Sequence, residues 1–394
     1  MAHLYSSHNF NIVVTITFVS LLAVPVVGPA LPVVQENFGI SNRDIGWMVM
    51  SAFSLPALLF VPLCGYFAER YGKRAVLLPT MVLFSVSGGT ISLAPNPETI
   101  IALRFLQGIG ASSIATLNTA LVPDLFTGRD RVTVMGRTAV VQGLGSGVLP
   151  LLGGLLALVT WYLPFMTALI GLPIAFYVYM HLKNTKPQTE GRRGSYMAYA
   201  WTNLADRRVM ELCFFTFGFI FVGFGAFVSY IPSYMATSFG AGSLIIGIVV
   251  SARAFSGTLS AAFLNRLTLK FSSRTLMVLS FVLLGAGMIS VPLSSGPFGI
   301  IIAAFCYGAS FGITRPLVQV HLFEIAPKDL RSTFSSANGV AVRLGQTLAP
   351  FGAGLIITGI SFDAMYFIAG AIAFMMMTVA LFGTSLSKEN TRVG

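Results

Sequence analysis

Twelve apolar runs, each about the length needed to cross a bilayer as a helix, are the feature that most constrains this chain. They begin near Phe10, Asp44, Ala75, Glu98, Val132, Trp161, Arg208, Ser243, Thr275, Phe298, Ser332 and Phe362. The gaps between them are short except for one polar, basic stretch, residues 182–207, which divides the runs six and six. Only 9% of the residues are charged, against about 25% in an ordinary soluble domain. So little charge cannot clothe a water-facing surface, and the exterior must face lipid. The pattern predicts an all-α membrane protein of twelve transmembrane helices, in two six-helix bundles around a central cavity. The expected divisions are a first bundle over 1–181, a cytoplasmic linker over 182–207 and a second bundle over 208–394.

The net charge of +11 would suit nucleic acid as a partner, but its placement argues otherwise. Alternate gaps hold eighteen Lys and Arg residues on one side and Arg43 alone on the other. That asymmetry is the positive-inside pattern. It predicts an integral protein of a bacterial or archaeal plasma membrane with both termini cytoplasmic. The first run is too long for a leader's apolar core and lacks a basic segment before it, so no cleavable signal is expected. Cys64, Cys213 and Cys306 fall inside apolar runs and read as free thiols without metal-ligand spacing.

The two halves match in register at an offset of 200 residues. Pro32 matches Pro232, Arg70 matches Lys270, Arg74 matches Arg274 and Gly108 matches Gly308. Asp124 matches Glu324, Arg131 matches Arg331, Pro150 matches Pro350 and Gly154 matches Gly354. Internal repeats of this kind mark many secondary transporters, whose substrate site lies near the midplane at the repeat interface.

On these residues the chain resembles the major facilitator superfamily over nearly its whole length, in particular the twelve-helix drug and metabolite exporter branch. Residues 65–77, GYFAERYGKRAVL, are similar to the superfamily's signature loop, with Gly65, Glu69, Arg70, Gly72, Lys73 and Arg74 in place and Glu69 standing where Asp is usual. The resemblance implies that these groups lock helix ends at a cytoplasmic gate. Arg104, Gln107, Gly108 and Gly110 match a second motif, in which a buried arginine is common. Gly143 to Gly154, GLGSGVLPLLGG, resembles a motif associated with exporters, although Leu149 precedes Pro150 where that motif has Gly. Gly147 and Pro150 are thereby expected to shape the gate, and Arg104 to belong with it. Gly143, Gly147, Gly153 and Gly154 also suit close helix packing, as small residues do throughout membrane bundles.

Five arginines fall within the runs: Arg104, Arg137, Arg253, Arg315 and Arg343. A charge at the bilayer centre costs at least ~2.5–3.5 kcal/mol on insertion scales, so each needs a reason. Arg137 is near enough to the cytoplasmic end to snorkel. Arg253, Arg315 and Arg343 lie deeper, on stripes of small and polar residues, and their duplicates in the first half are Phe53, Ala115 and Gly143. The fold itself therefore does not demand arginine there. No Asp or Glu lies deep in a run, which leaves His321 as the candidate group for proton coupling.

These readings predict a secondary transporter that moves a small organic solute by alternating access, as proton-linked efflux of a drug or metabolite. Arg253, Arg343, Arg315, Gln319, Gln346, Gln142 and Asn118 are the expected substrate contacts. The partners are that solute, protons or a counter-solute, and the lipid bilayer, with the protein acting as a monomer. An organic-anion exchanger or anion–proton symporter using the intramembrane arginines is the alternative. A sensor or scaffold lacks an extramembrane domain to support it. No cofactor, metal site, P-loop or hydrolase motif is found, so no enzymatic activity is expected.

Overall fold

Proline and glycine set the interruptions of an otherwise helical chain. The computed structural model describes residues 8–182, 206–327 and 331–383, and the side chains of Arg129, Val132 and Arg331–Thr333 lie outside the description. The linker expected over 182–207 lies almost wholly outside the described residues, as do Lys328 and both termini. Among the described residues there is no strand. The helices are α1 (His8–Val19), α2 (Leu31–Phe38), α3 (Ala52–Tyr71), α4 (Lys73–Thr90), α5 (Pro97–Leu125), α6 (Gly128–Val159) and α7 (Gly171–His181). The second half supplies α8 (Arg207–Val222), α9 (Ile231–Phe239), α10 (Ser243–Thr268), α11 (Ser273–Ser290), α12 (Ile300–Ile325), α13 (Arg331–Gly359) and α14 (Phe362–Phe382).

Counted with their short extensions, eleven of these segments are long and apolar enough to cross a membrane. The exception is the first run, expected as a single span beginning near Phe10. That run divides into α1, a stretch of turns, a 3₁₀ turn at Gly28–Ala30, and α2. Its physical cause is Pro25, Pro29 and Pro32, each of which lacks the N–H that an unbroken helix requires. The matching span of the second half is also interrupted: a π-helical stretch, Gly223–Ser229, separates α8 from α9.

The duplication read from single residues extends to whole elements. α4 and α11 occupy the same positions at the 200-residue offset, α5 and α12 end in register, and so do α6 and α13. Local chemistry explains several starts. Asn96 accepts from the Thr99 N–H ahead of Pro97, Ser272 from the Thr275 N–H, and Ser361 from the Ala364 N–H. Each satisfies a backbone donor that a helix start would leave bare. Between α3 and α4 the chain turns at Gly72, with φ 93° and ψ 148°. That region is open essentially to glycine alone, which gives the signature glycine its physical reason.

The chain divides into two compact units, Met1–Thr189 with Gly240–Ser251, and Glu190–Phe239 with Ala252–Gly394. In the first, α5 packs tightly between α3 and α4: a side chain on Gly108 would strike the Phe53 carbonyl, and one on Gly110 the Phe84 backbone 2.5 Å away. In the second, a side chain on Gly308 would strike the Arg253 carbonyl in the same manner. Small residues at these crossings let backbones meet.

Candidate functional site

The intramembrane arginines separate into two kinds. Arg104, on α5, is fully buried. Its Nε donates to the Val49 carbonyl at 3.0 Å, Nη1 to the Ala23 carbonyl at 3.2 Å and to Gln107 Oε1 at 2.8 Å, and Nη2 to the Ala23 carbonyl at 3.3 Å. Phe53 and Phe165 lie against its guanidinium, 5.2 and 5.4 Å from the ring centres. Ala23 sits in the break between α1 and α2, and Val49 in the π-helical turn Trp47–Ser51 ahead of α3. Both carbonyls have lost regular helical geometry, and within a bilayer a neighbouring side chain must satisfy them. Arg104, expected with the gate, thus pins two helix irregularities together. Arg137 lies exposed on α6.

Arg253, Arg315 and Arg343 instead converge within the second unit. The Arg253 guanidinium on α10 lies 5.3 Å from the Tyr307 ring centre and 5.7 Å from that of Phe311, both on α12. Arg315 covers the same Phe311 at 5.8 Å, and it acts electrostatically on Tyr307 and on Arg343. Arg343 Nη1 reaches Gln346 Oε1 at 3.4 Å, a long bond. The Nε–H of Arg253 is buried without a hydrogen-bond partner. None of the three forms an ion pair with a described carboxylate. Two like charges on one aromatic pair and a third that acts on one of them, without a described counter-charge, are costly in a membrane.

Asn118 is buried on α5 and donates to the Val13 carbonyl at 3.1 Å and Thr17 Oγ1 at 2.8 Å, tying α5 to α1. Gln142 is exposed on α6. Gln319 donates to Ser335 Oγ at 3.4 Å, bridging α12 and α13. Tyr307 and Phe311 were missed by the sequence reading. Phe311 lies one turn before Arg315, and Tyr307 is the duplicate of Gln107, so both were visible in principle.

At the helix ends, Lys73 Nζ pairs with Asp124 Oδ2 at 2.6 Å and donates to the Ala120 carbonyl at 2.7 Å, joining α4 to α5. Arg74 donates to the Tyr179 carbonyl at 2.8 Å and lies over the Tyr179 ring. Its duplicate Arg274 donates to the Gly383 carbonyl at 2.8 Å. Arg70 reaches Tyr66 Oη at 3.3 Å on its own helix, and Glu69 is exposed beside it. Gly65 has open space at its Cβ position. In the second half Ser273 replaces Lys73, and Glu324 Oε2 meets His321 Nδ1 at 2.9 Å instead. The Nε2 of His321 is buried without a hydrogen-bond partner.

In the exporter-like stretch of α6, Gly153 would collide through a side chain with the Val26 carbonyl. Gly154 would meet the Ser243 carbonyl at 2.6 Å, and Gly247 the Pro150 carbonyl at 2.7 Å. Ser243 Oγ also donates to the Gly154 carbonyl at 3.0 Å. Gly147 has open space and takes no part in that packing. A cleft of about 680 Å³ lies elsewhere, between the ends of α8 and α14 against Arg207, Glu211 and Phe382, and contains none of the clustered arginines.

The model of the Major Facilitator Superfamily matches residues 13–241 and 213–392. The chain belongs to the Major Facilitator Superfamily. It is 25% identical to the multi-drug resistance efflux pump PmrA homolog of Lactococcus lactis, covering 89% of this chain and 88% of that one. It is 24% identical to multidrug resistance protein 1 of Bacillus subtilis, covering 90% of each. Among solved structures, a D-xylose–proton symporter superposes with a TM-score of 0.78 at 17% identity, over 98% of this chain and all of that one, a likeness of fold alone. The twelve-helix, two-bundle fold and the exporter-branch resemblance are thus established, and the chain is an integral membrane protein of a transporter family.

Proposed function

We propose that this protein exports a small organic solute by alternating access, with proton entry driving each cycle. The observation that carries the reading is its similarity, over about nine-tenths of both chains, to proteins named as multidrug efflux pumps. The basic gaps favour cytoplasmic termini, which would make export the outward direction. Lys73, Asp124 and Arg74 would hold α4 closed against α5 and α7 at the cytoplasmic end, with Glu69, Arg70, Gly65 and Gly72 shaping the adjoining turn. Pro150, Gly147 and the glycines after them would let α6 shift against the start of α10.

His321 and Glu324 supply the proton site in this reading. Histidine is the side chain whose charge changes nearest neutrality, and here one ring nitrogen meets a carboxylate while the other lacks a partner. The second bundle carries this pair where the first carries Leu121 and the Lys73–Asp124 lock.

The test is transport in proteoliposomes of defined orientation under an imposed pH gradient. The expected result is gradient-driven export, with His321→Ala abolishing the response to the gradient while leaving downhill exchange. Gradient-driven export that persists unchanged in His321→Ala would remove the histidine from the mechanism. Absence of transport for every solute under any gradient would remove the exporter reading itself.

A further inference from the structure

The cluster of Arg253, Arg315 and Arg343 is an electrostatic arrangement without a stated cause. Their duplicates are Phe53, Ala115 and Gly143, so the repeat is built without them. Arg104 shows how this protein uses arginine for structure: every arm of that guanidinium is committed to a carbonyl or amide oxygen. The cluster is the opposite case. Arg253 bonds the neutral Tyr307 hydroxyl yet retains a buried Nε–H without an acceptor, Arg343 has one long bond to Gln346, and Arg315 lies over the Phe311 face. Such faces attract cations weakly and cannot neutralise them.

What these side chains lack is an acceptor with negative charge. The guanidinium fork matches the two oxygens of a carboxylate bidentately, and several forks around one site favour a planar oxyanion. Beside them lie aromatic rings and open space: Tyr307 is buried, Phe311 half-buried, and Gly339, one turn before Arg343, has open space at its Cβ position. A carboxylate attached to an apolar body fits both halves of that description better than a bare inorganic ion.

We propose that Arg253, Arg315 and Arg343 bind the carboxylate of a small organic anion, and that this anion is the solute carried. The second clause rests on the export reading above. An anion here would supply the missing counter-charge and the missing acceptor together. Carriage of a cation would instead require the site to overcome three like charges.

The test uses the full-length protein in detergent, with melting temperature measured against benzoate and hexanoate, their neutral amides benzamide and hexanamide, sodium chloride, and tetraphenylphosphonium at matched ionic strength. A ligand that binds only the folded state raises the melting temperature by mass action. The expected result is a rise with at least one carboxylate and none with its amide, with chloride or with the phosphonium. Arg253→Gln and Arg343→Gln should each weaken that response by roughly tenfold or more, the loss of one charge-assisted bond. The contrast of acid with amide needs only the wild type, so it stands should either variant fold poorly. Equal response to acid and amide, response to chloride alone, response to the phosphonium, or no response to any probe overturns the proposal. Flux in proteoliposomes separates the two readings. Binding of carboxylate without flux supports the site and removes the export reading, whereas export of phosphonium by wild type and Arg253→Gln alike keeps export and overturns the anion.

Discussion

The two halves of this transporter place the same interaction on opposite helices. In the first, Arg104 reaches from α5 onto Phe53 of the second span, and the Gly108 backbone packs on the Phe53 carbonyl. In the second, Arg253 stands at the position of Phe53 and reaches onto Tyr307 of α12, while Gly308 packs on the Arg253 carbonyl. The backbone crossing is retained and the charge has changed sides. The consequence lies in what each guanidinium can still bond. Arg104 faces the break between α1 and α2 and is consumed by its carbonyls. In the corresponding break of the second half, the Tyr366 hydroxyl donates to the Ala226 carbonyl at 3.3 Å, and Tyr307, which carries Arg253 on its ring, packs on Gly223. A neutral phenol thus does in one half what a cation does in the other, which is why Arg253 is the one proposed above to bind a ligand.

Breaking the hub should have the largest effect on stability. Arg104→Ala leaves the Ala23 and Val49 carbonyls bare, at roughly 1–3 kcal/mol each, so thermal unfolding in detergent should show a loss of about 2–6 kcal/mol. Next come the shared crossings. Gly108→Ala and Gly308→Ala each force a methyl group against a backbone carbonyl, and each should cost about 1–3 kcal/mol. The comparison predicts near-equal losses, and a large loss in one half alone would break it. Gly72→Ala should cost roughly 1–3 kcal/mol by a different route, since its backbone conformation is closed to alanine. The smallest effect belongs to Lys73→Ser, which converts the first half's α4–α5 lock to the form found in the second. This partly exposed pair should contribute about 1 kcal/mol or less, read as a small fall in melting temperature.

Much of this was legible in the sequence, because a bilayer leaves the chain few options. Apolar run length gave the spans, the in-register Pro and Gly matches gave the duplication, and the signature residues gave the family. The interruption of the first span was not read, although Pro25, Pro29 and Pro32 carry its cause. Hydropathy averages over a window and is indifferent to a missing N–H. Of the residues expected to contact substrate, Arg253, Arg315, Arg343 and Gln346 come together. In the first unit Asn118 ties α5 to α1 and Gln142 is exposed on α6, while Gln319, one turn after Arg315, bridges α12 to Ser335 of α13. Residue type and depth along a helix were readable, but the azimuth of a side chain depends on the neighbouring helix it meets. The Lys73–Asp124 pair was missed for the same reason: its partners are 51 positions apart and meet only when α4 and α5 pack.

The central claim is that two intramembrane arginines do different work, Arg104 in holding the fold and Arg253, as proposed, in binding solute. The most direct measurement is a paired one. Arg104→Gln and Arg253→Gln are reconstituted beside the wild type, with melting temperature and solute flux per folded molecule recorded for each. The account predicts that Arg104→Gln melts earlier yet transports at close to the wild-type rate per folded molecule. Arg253→Gln should melt no earlier than wild type, because an uncompensated charge has been removed, and should lose most of its flux. Undiminished flux in Arg253→Gln, with flux lost in a folded Arg104→Gln, would contradict the account.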